Sequence, residues 1–144
     1  MNAYFTTIAA DGGARRLLDD CGLPYADLDA PAVRLFGFYL DEELAGMVGL
    51  ECHGDIGLLR SLAVAARHRG TGLGAVMTAH AERRADEFGL DELYLLTMTA
   101  RDFFERLGYR TARRDEAPDA IRATQQFSGL CPASSVLMTK RVGA

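Results

Sequence analysis

The chain has 144 residues, enough to bury a hydrophobic core in one domain without disulfides or metals, and its 49% hydrophobic and 25% charged residues exclude extended disorder. A formal charge of -4 and a pI near 5.3 argue against nonspecific binding to nucleic acid or to an anionic membrane surface. Cys21, Cys52 and Cys131 are odd in number, far apart and without CxxC spacing, so neither a disulfide framework nor a metal site is expected and a reducing cytoplasm is the expected location. The N-terminal stretch has no basic segment leading into an apolar one, and no apolar run approaches the ~18 residues that would span a bilayer, so neither a signal peptide nor a membrane span is expected.

Ala3 to Ala9 alternates weakly and predicts a first strand, with a turn at Asp11-Gly12-Gly13. Ala14 to Cys21 predicts a helix with Leu17, Leu18 and Cys21 on its apolar side, stopped by Gly22. The acid-bearing stretch from Leu23-Pro24 to Pro31 reads as a solvated connection, although loops of this kind also form substrate walls in compact enzymes. Val33 to Leu40 and Leu44 to Cys52 predict a hairpin turned at Asp41-Glu42-Glu43, and Asp55 to Val64 adds a third antiparallel strand after His53-Gly54. From Gly72 to Phe88 the residues Leu73, Val76, Met77, His80, Ala81, Ala85 and Phe88 recur at helical spacing, and Gly89 closes the helix. Glu92 to Thr99 predicts a strand, Arg101 to Leu107 a short helix ended by Gly108, and Tyr109 to Ala112 the start of another strand. Asp119 to Phe127 predicts a short helix after Pro118, and Ser134 to Val142 a final strand. Strand, helix and strand in succession require a parallel crossover. No repeat or linker divides the chain, so one domain over residues 1–144 is expected, of the α/β (α+β) class, with a mixed, mainly antiparallel sheet flanked by helices.

The chemistry concentrates where the third strand meets the long helix. Leu62-Ala63-Val64 ends the strand, Arg67-His68-Arg69 follow in a loop, and Gly70, Thr71, Gly72, Leu73 and Gly74 lead into the helix. The first N–H groups of a helix lack intrahelical partners and carry the positive end of its dipole, which suits phosphate oxygens. The GxGxG spacing departs from the dinucleotide fingerprint, and no Lys follows the glycines as a nucleoside-triphosphate loop would need. An Arg, two residues, Gly, one residue and Gly after a strand ending LxV resembles instead the acetyl-coenzyme A signature of the GCN5-related N-acetyltransferase (GNAT) superfamily. Phe103-Phe104-Glu105-Arg106-Leu107-Gly108-Tyr109 is similar to a second segment of that family, with Ala100 at the alanine that usually precedes it. Arg114 to Pro118 and Thr124 to Lys140 resemble the small bacterial ArsN2-like acetyltransferases associated with arsenic resistance.

The resemblance implies an acetyl-coenzyme A-dependent N-acetyltransferase without a metal. Backbone amides of Arg69 to Gly74, with charge from Arg67 and Arg69, would cradle the pyrophosphate. The main chain at Leu62, Ala63 and Val64 would serve the pantetheine arm, with an amide of Leu62 or Ala63 polarising the thioester carbonyl. Thr97, Phe104 and Arg106 fall on further cofactor-binding positions. Two of these depart from the family: Phe104 stands where a tyrosine often protonates the departing thiolate, and Thr97 where an asparagine is frequent. Dimers are common in similar proteins, although no interface is legible here.

On the acceptor side, Glu51 near its strand end is the candidate general base, or one of the twenty acids facing solvent. His53 and His68 read as surface histidines and His80 as a residue of the packed helix face. Leu58, Arg60, Leu62 and Val64 are expected on one face of a central strand, where a guanidinium needs a partner. Arg60 could clamp a substrate carboxylate or form a structural salt bridge to a neighbouring strand. Cys131 and Ser134, before the last strand, are candidate acceptor-pocket residues; a small buried apolar residue is the ordinary role of such a cysteine. The expected acceptor is the amine of a small molecule, an amino acid or its analogue, with a peptide acceptor or a non-catalytic coenzyme A sensor as the alternatives.

Overall fold

The computed structural model describes residues 2–143. Seven strands form one sheet: β1 (Ala3–Ile8), β2 (Val33–Leu40), β3 (Glu43–His53), β4 (Ile56–Val64), β5 (Glu92–Thr97), β6 (Arg110–Ala112) and β7 (Val136–Arg141). Their order is β1-β2-β3-β4-β5-β7-β6, and only β4 and β5 are parallel. Four α-helices accompany it: α1 (Gly12–Asp20), α2 (Leu73–Glu87), α3 (Arg101–Arg106) and α4 (Asp119–Arg122). The mixed, mainly antiparallel architecture expected from the sequence is the one observed.

Local chemistry sets the element boundaries. Asp11 Oδ1 accepts from Ala14 N at 3.0 Å and caps α1, so that the helix starts at Gly12, before the Ala14 start that the apolar pattern suggests. Asp41 and Glu42, with φ of 48° and 71°, make the tight turn that matches the twist of the β2–β3 hairpin. The helix expected over Asp119 to Phe127 is broken instead: α4 stops at Arg122, and a π-helical turn occupies Gln126–Leu130.

The sheet is covered on both faces. Met77, Ala81 and Ala85 of α2 are fully buried against Val48, Leu50 and Leu59, and each large apolar side chain so buried contributes about 1.5–3 kcal/mol. On the opposite face Leu17 and Leu18 of α1 pack with Leu28, Leu35, Met47 and Ala63, and Ile121 of α4 packs with Leu58 and Leu137. The stretch from Leu23 to Pro31 is no solvated connection, because its own Asp27 and Leu28 are buried.

One irregularity in β4 matters for function. Gly49 pairs with Arg60 and Met47 with Ala63, so β4 carries an extra residue there, and Ser61 takes φ 58°. The bulge switches faces. Leu62 and Val64 join Leu59 on the α2 side, while Leu58 packs on the other, so the single face expected for Leu58, Arg60, Leu62 and Val64 does not exist.

Candidate active site

The site begins as a failure of two strands to stay paired. β4 and β5 run in register only over Ile56–Leu58 and Glu92–Tyr94. Beyond that a cleft of about 800 Å³ opens, with Leu58 to Val64 on one wall and Leu95 to Ala100 on the other. On its other edge β5 is paired with β7 along its whole length. Phe103 and Phe104 of α3 extend the far wall, and Thr97 Oγ1 accepts from Ala100 N at 3.0 Å to turn the chain into that helix. Ala65 N donates to Ala45 O at 2.8 Å, and peptide directions alternate along a strand. The amides of Val64 and Leu62 therefore point away from β3 into the opening, and that of Ala63 points back towards β3.

The glycine loop crosses one end of the cleft. Gly70 and Gly72 have φ of 77° and 84°, which only glycine adopts freely, and a Cβ at either would meet no protein atom within 4 Å. The first amide of this turn to bond back is Val76 N, to Gly72 O at 3.2 Å; among the described residues those of Gly70 to Ala75 have no backbone acceptor. Open space, unpaired donors and the start of a 15-residue helix fit a pyrophosphate. Gly74 is needed for a different reason, since a Cβ there would lie 3.2 Å from the Phe103 ring. Leu73 is buried and anchors the turn. Thr71 Oγ1 donates to His68 O, which ties the loop together.

The arginines divide. Arg69 lies along the cleft, its Nε donating to Val64 O at 3.2 Å and Nη2 reaching Cys21 Sγ at 3.3 Å. Arg67 and His68 turn away to Glu43, at 2.9 and 3.1 Å, so Glu43 offsets the charge expected from Arg67. Arg106 is exposed and does not line the cleft. Phe104 does; it is buried edge-on between Phe103 and Tyr109 and has no proton to give. Tyr109, the nearby phenol, donates to Glu82 Oε2 at 2.9 Å instead, and burial followed by the Glu82 charge raises its pKa far above the ordinary value.

The other end of the cleft is floored by side chains rather than amides. Arg60, only 5% exposed, donates from Nη1 and Nη2 to Asp27 at 2.7 and 2.6 Å, from Nη1 to Glu51 at 3.1 Å and from Nε to Ser61 Oγ at 3.1 Å. Gln126 Nε2 donates to Asp27 Oδ1 at 3.2 Å, and the Cys131 thiol donates to Gln126 Oε1 at 3.2 Å. Burial pushes the Asp27 carboxyl up, but hydrogen bonds from Arg60 and Gln126 and the guanidinium charge outweigh it and hold the pKa below the usual carboxylate value. Burial raises the Cys131 thiol, which disfavours its thiolate.

Three expectations change accordingly. Arg60 is the structural partner of Asp27 and Glu51, so its fork is not free to clamp a substrate carboxylate. Glu51 is buried, its oxygens are held by Arg60 and by His53 Nε2 at 2.9 Å, and it does not line the cleft, which removes it as a direct base. Ser134 is exposed and donates to Met98 Sδ; its neighbour Ser135 is the serine in the cleft wall. His80 stacks on Phe5 at 3.9 Å, a packing role. Asp27, Gln126 and Cys21 escaped the sequence reading; a buried partner for Arg60 was foreseeable, its identity was not.

A family model described as the acetyltransferase (GNAT) family matches residues 4–109, and the chain belongs to that family. An uncharacterized N-acetyltransferase of Chlorobaculum tepidum is 35% identical over 63 residues, which are 44% of this chain and 40% of that protein. N-acetylglutamate synthase from Neisseria gonorrhoeae, complexed with coenzyme A and N-acetyl-glutamate, superposes with a TM-score of 0.80 at 21% identity over 99% of this chain. This chain spans 35% of the synthase's length. The ribosomal-protein-S18-alanine N-acetyltransferase from Escherichia coli gives 0.75 at 16% identity, covering 99% of this chain and 96% of that one. These likenesses establish the fold. No cluster of His, Cys, Asp and Glu able to hold a metal occurs among the described residues, nor is any helix there long and apolar enough to cross a membrane.

Proposed function

We propose that this protein acetylates the amine of a small molecule, an amino acid or a close analogue, in the cytoplasm. The observation that carries the reading is the acceptor end of the cleft. Residues Cys21 to Pro24 and Cys131, Pro132 and Ser135 wall it in, and Asp27, Glu51 and Arg60 set two carboxylates against one guanidinium behind it. That net negative floor draws a protonated amine, and the walls leave room for a small one. The same fold serves a synthase bound to N-acetyl-glutamate and an enzyme named for a ribosomal-protein alanine, so the walls rather than the fold choose the acceptor. The ArsN2-like character of Thr124 to Lys140, the segment that forms one wall, adds organoarsenical amino-acid analogues to the acceptor class.

In the reaction, the amides of Gly70 to Ala75 and Arg69 hold the pyrophosphate, and the Leu62 amide receives the negative charge that develops on the carbonyl oxygen. The amine proton passes to water in the cleft, since the oxygens of Glu51 are already engaged. Leaving-group protonation is dispensable, because a thiol with a pKa of about 8.5 departs readily as thiolate. Release of free coenzyme A thiol, screened over amino acids, phosphinic and arsenical analogues, polyamines and peptides, tests the proposal. Turnover with an acid-bearing small amine is expected; turnover with peptides alone would overturn it.

A further inference from the structure

Ser61 is the one residue of β4 with a positive φ, and it lies immediately before the amide placed at the thioester. A non-glycine residue pays to sit at φ 58°, so something must hold it there. The structure shows what does. Arg60 Nε donates to Ser61 Oγ at 3.1 Å, and the guanidinium is planar, so two bonds to Asp27 fix the direction in which Nε points. Glu51 holds the same group from β3, and Gln126 holds Asp27 from the π-helical turn. With a side chain 1% exposed, Arg60 is shielded from competing water.

We propose that Arg60 is a positioning residue: locked by Asp27 and Glu51, it pins the Ser61 bulge and thereby aims the Leu62 amide into the cleft. The ionic cluster thus acts through the backbone, without touching the acceptor. The inference rests on the acetyl-transfer reading for its kinetic consequence but not for its structural one.

The test substitutes Ser61 by Ala, Gly and Asn in the full chain. Alanine removes the acceptor of the Nε bond and tolerates positive φ poorly, whereas Gly and Asn tolerate it. In the coenzyme-free protein, the Leu62 and Val64 amide resonances should move in Ser61→Ala far more than in Ser61→Gly or Ser61→Asn. With acetyl-coenzyme A and an acceptor, kcat of Ser61→Ala should fall by about tenfold or more, since small misplacements of reacting groups are costly, while KM for acetyl-coenzyme A changes little. The Gly and Asn variants should recover most of that loss. An Arg60→Gln, Asp27→Asn, Glu51→Gln triple variant, which leaves none of the three buried charges unpaired, should behave like Ser61→Ala and be rescued by adding Ser61→Gly. Equal losses in Ala, Gly and Asn would show that the hydroxyl contacts substrate, and an unchanged Ala variant would show that no pin is needed; either result overturns the proposal. If no acceptor turns over, the amide resonances alone still decide it.

Discussion

The two ends of the cleft are built from different materials. The coenzyme end is backbone: six consecutive amides from Gly70 to Ala75, two glycines at positive φ, and almost no side chain committed to the ligand. The acceptor end is side chain: Asp27, Arg60, Glu51, Gln126 and Cys131 from four separate parts of the chain, bonded chiefly to one another. A backbone site tolerates changes in residue type wherever the conformation survives. A buried ionic site tolerates almost none, because each member leaves an uncompensated partner behind.

The sharpest break in that contrast is Asp27→Ala. It removes the two shortest bonds of the buried Arg60 guanidinium, leaves Glu51 as its remaining carboxylate partner, and should cost about 3 kcal/mol of stability, measured by denaturant unfolding. Its pH signature has a definite sign. Folding lowers the Asp27 pKa, so its contribution is present above the unfolded carboxylate value of about 3.9 and is lost as pH falls through the folded value. The stability gap between wild type and Asp27→Asn should therefore be flat near neutrality and close in acid; a gap that widened in acid would refute the assignment. The coenzyme end breaks more gently. Gly72→Glu meets no protein atom, so the fold should survive while the strained φ and the added charge weaken coenzyme A binding about ten- to a hundredfold by calorimetry. Unchanged affinity in a folded variant would remove the loop from the site. Smallest of all, Phe104→Tyr should alter kcat by no more than about twofold, because thiolate departure needs little acid. A large gain would mean that protonation had been limiting.

The same division explains what could be read from the sequence. Hairpins announced by turn residues and a helix announced by glycines were legible to within a residue or two, because both signals are local. The Ser61 bulge was not: Leu-Arg-Ser-Leu-Ala-Val contains no glycine or proline to mark the irregularity, and a regular two-residue period carried through it puts Leu62 and Val64 on the wrong face. Asp27 and Gln126 lie 99 residues apart, each in a stretch without periodicity, and only folding brings them to Arg60. Glu51 was found as a notable acid, but its neighbours Arg60 and His53, which take it out of direct chemistry, belong to tertiary structure.

The place of β7 in the sheet governs when the cleft is completed. β5 holds β4 over three residue pairs and β7 over six, and β6 has no other strand partner. During synthesis β1 to β4 and α2 emerge before β7 and can assemble, yet the far wall of the cleft waits for Val136–Arg141 to leave the ribosome and pair between β5 and β6. A nascent chain stopped before that strand would carry the complete glycine loop without the strand that braces β5 and β6, so the cleft is completed only once Arg141 has been made.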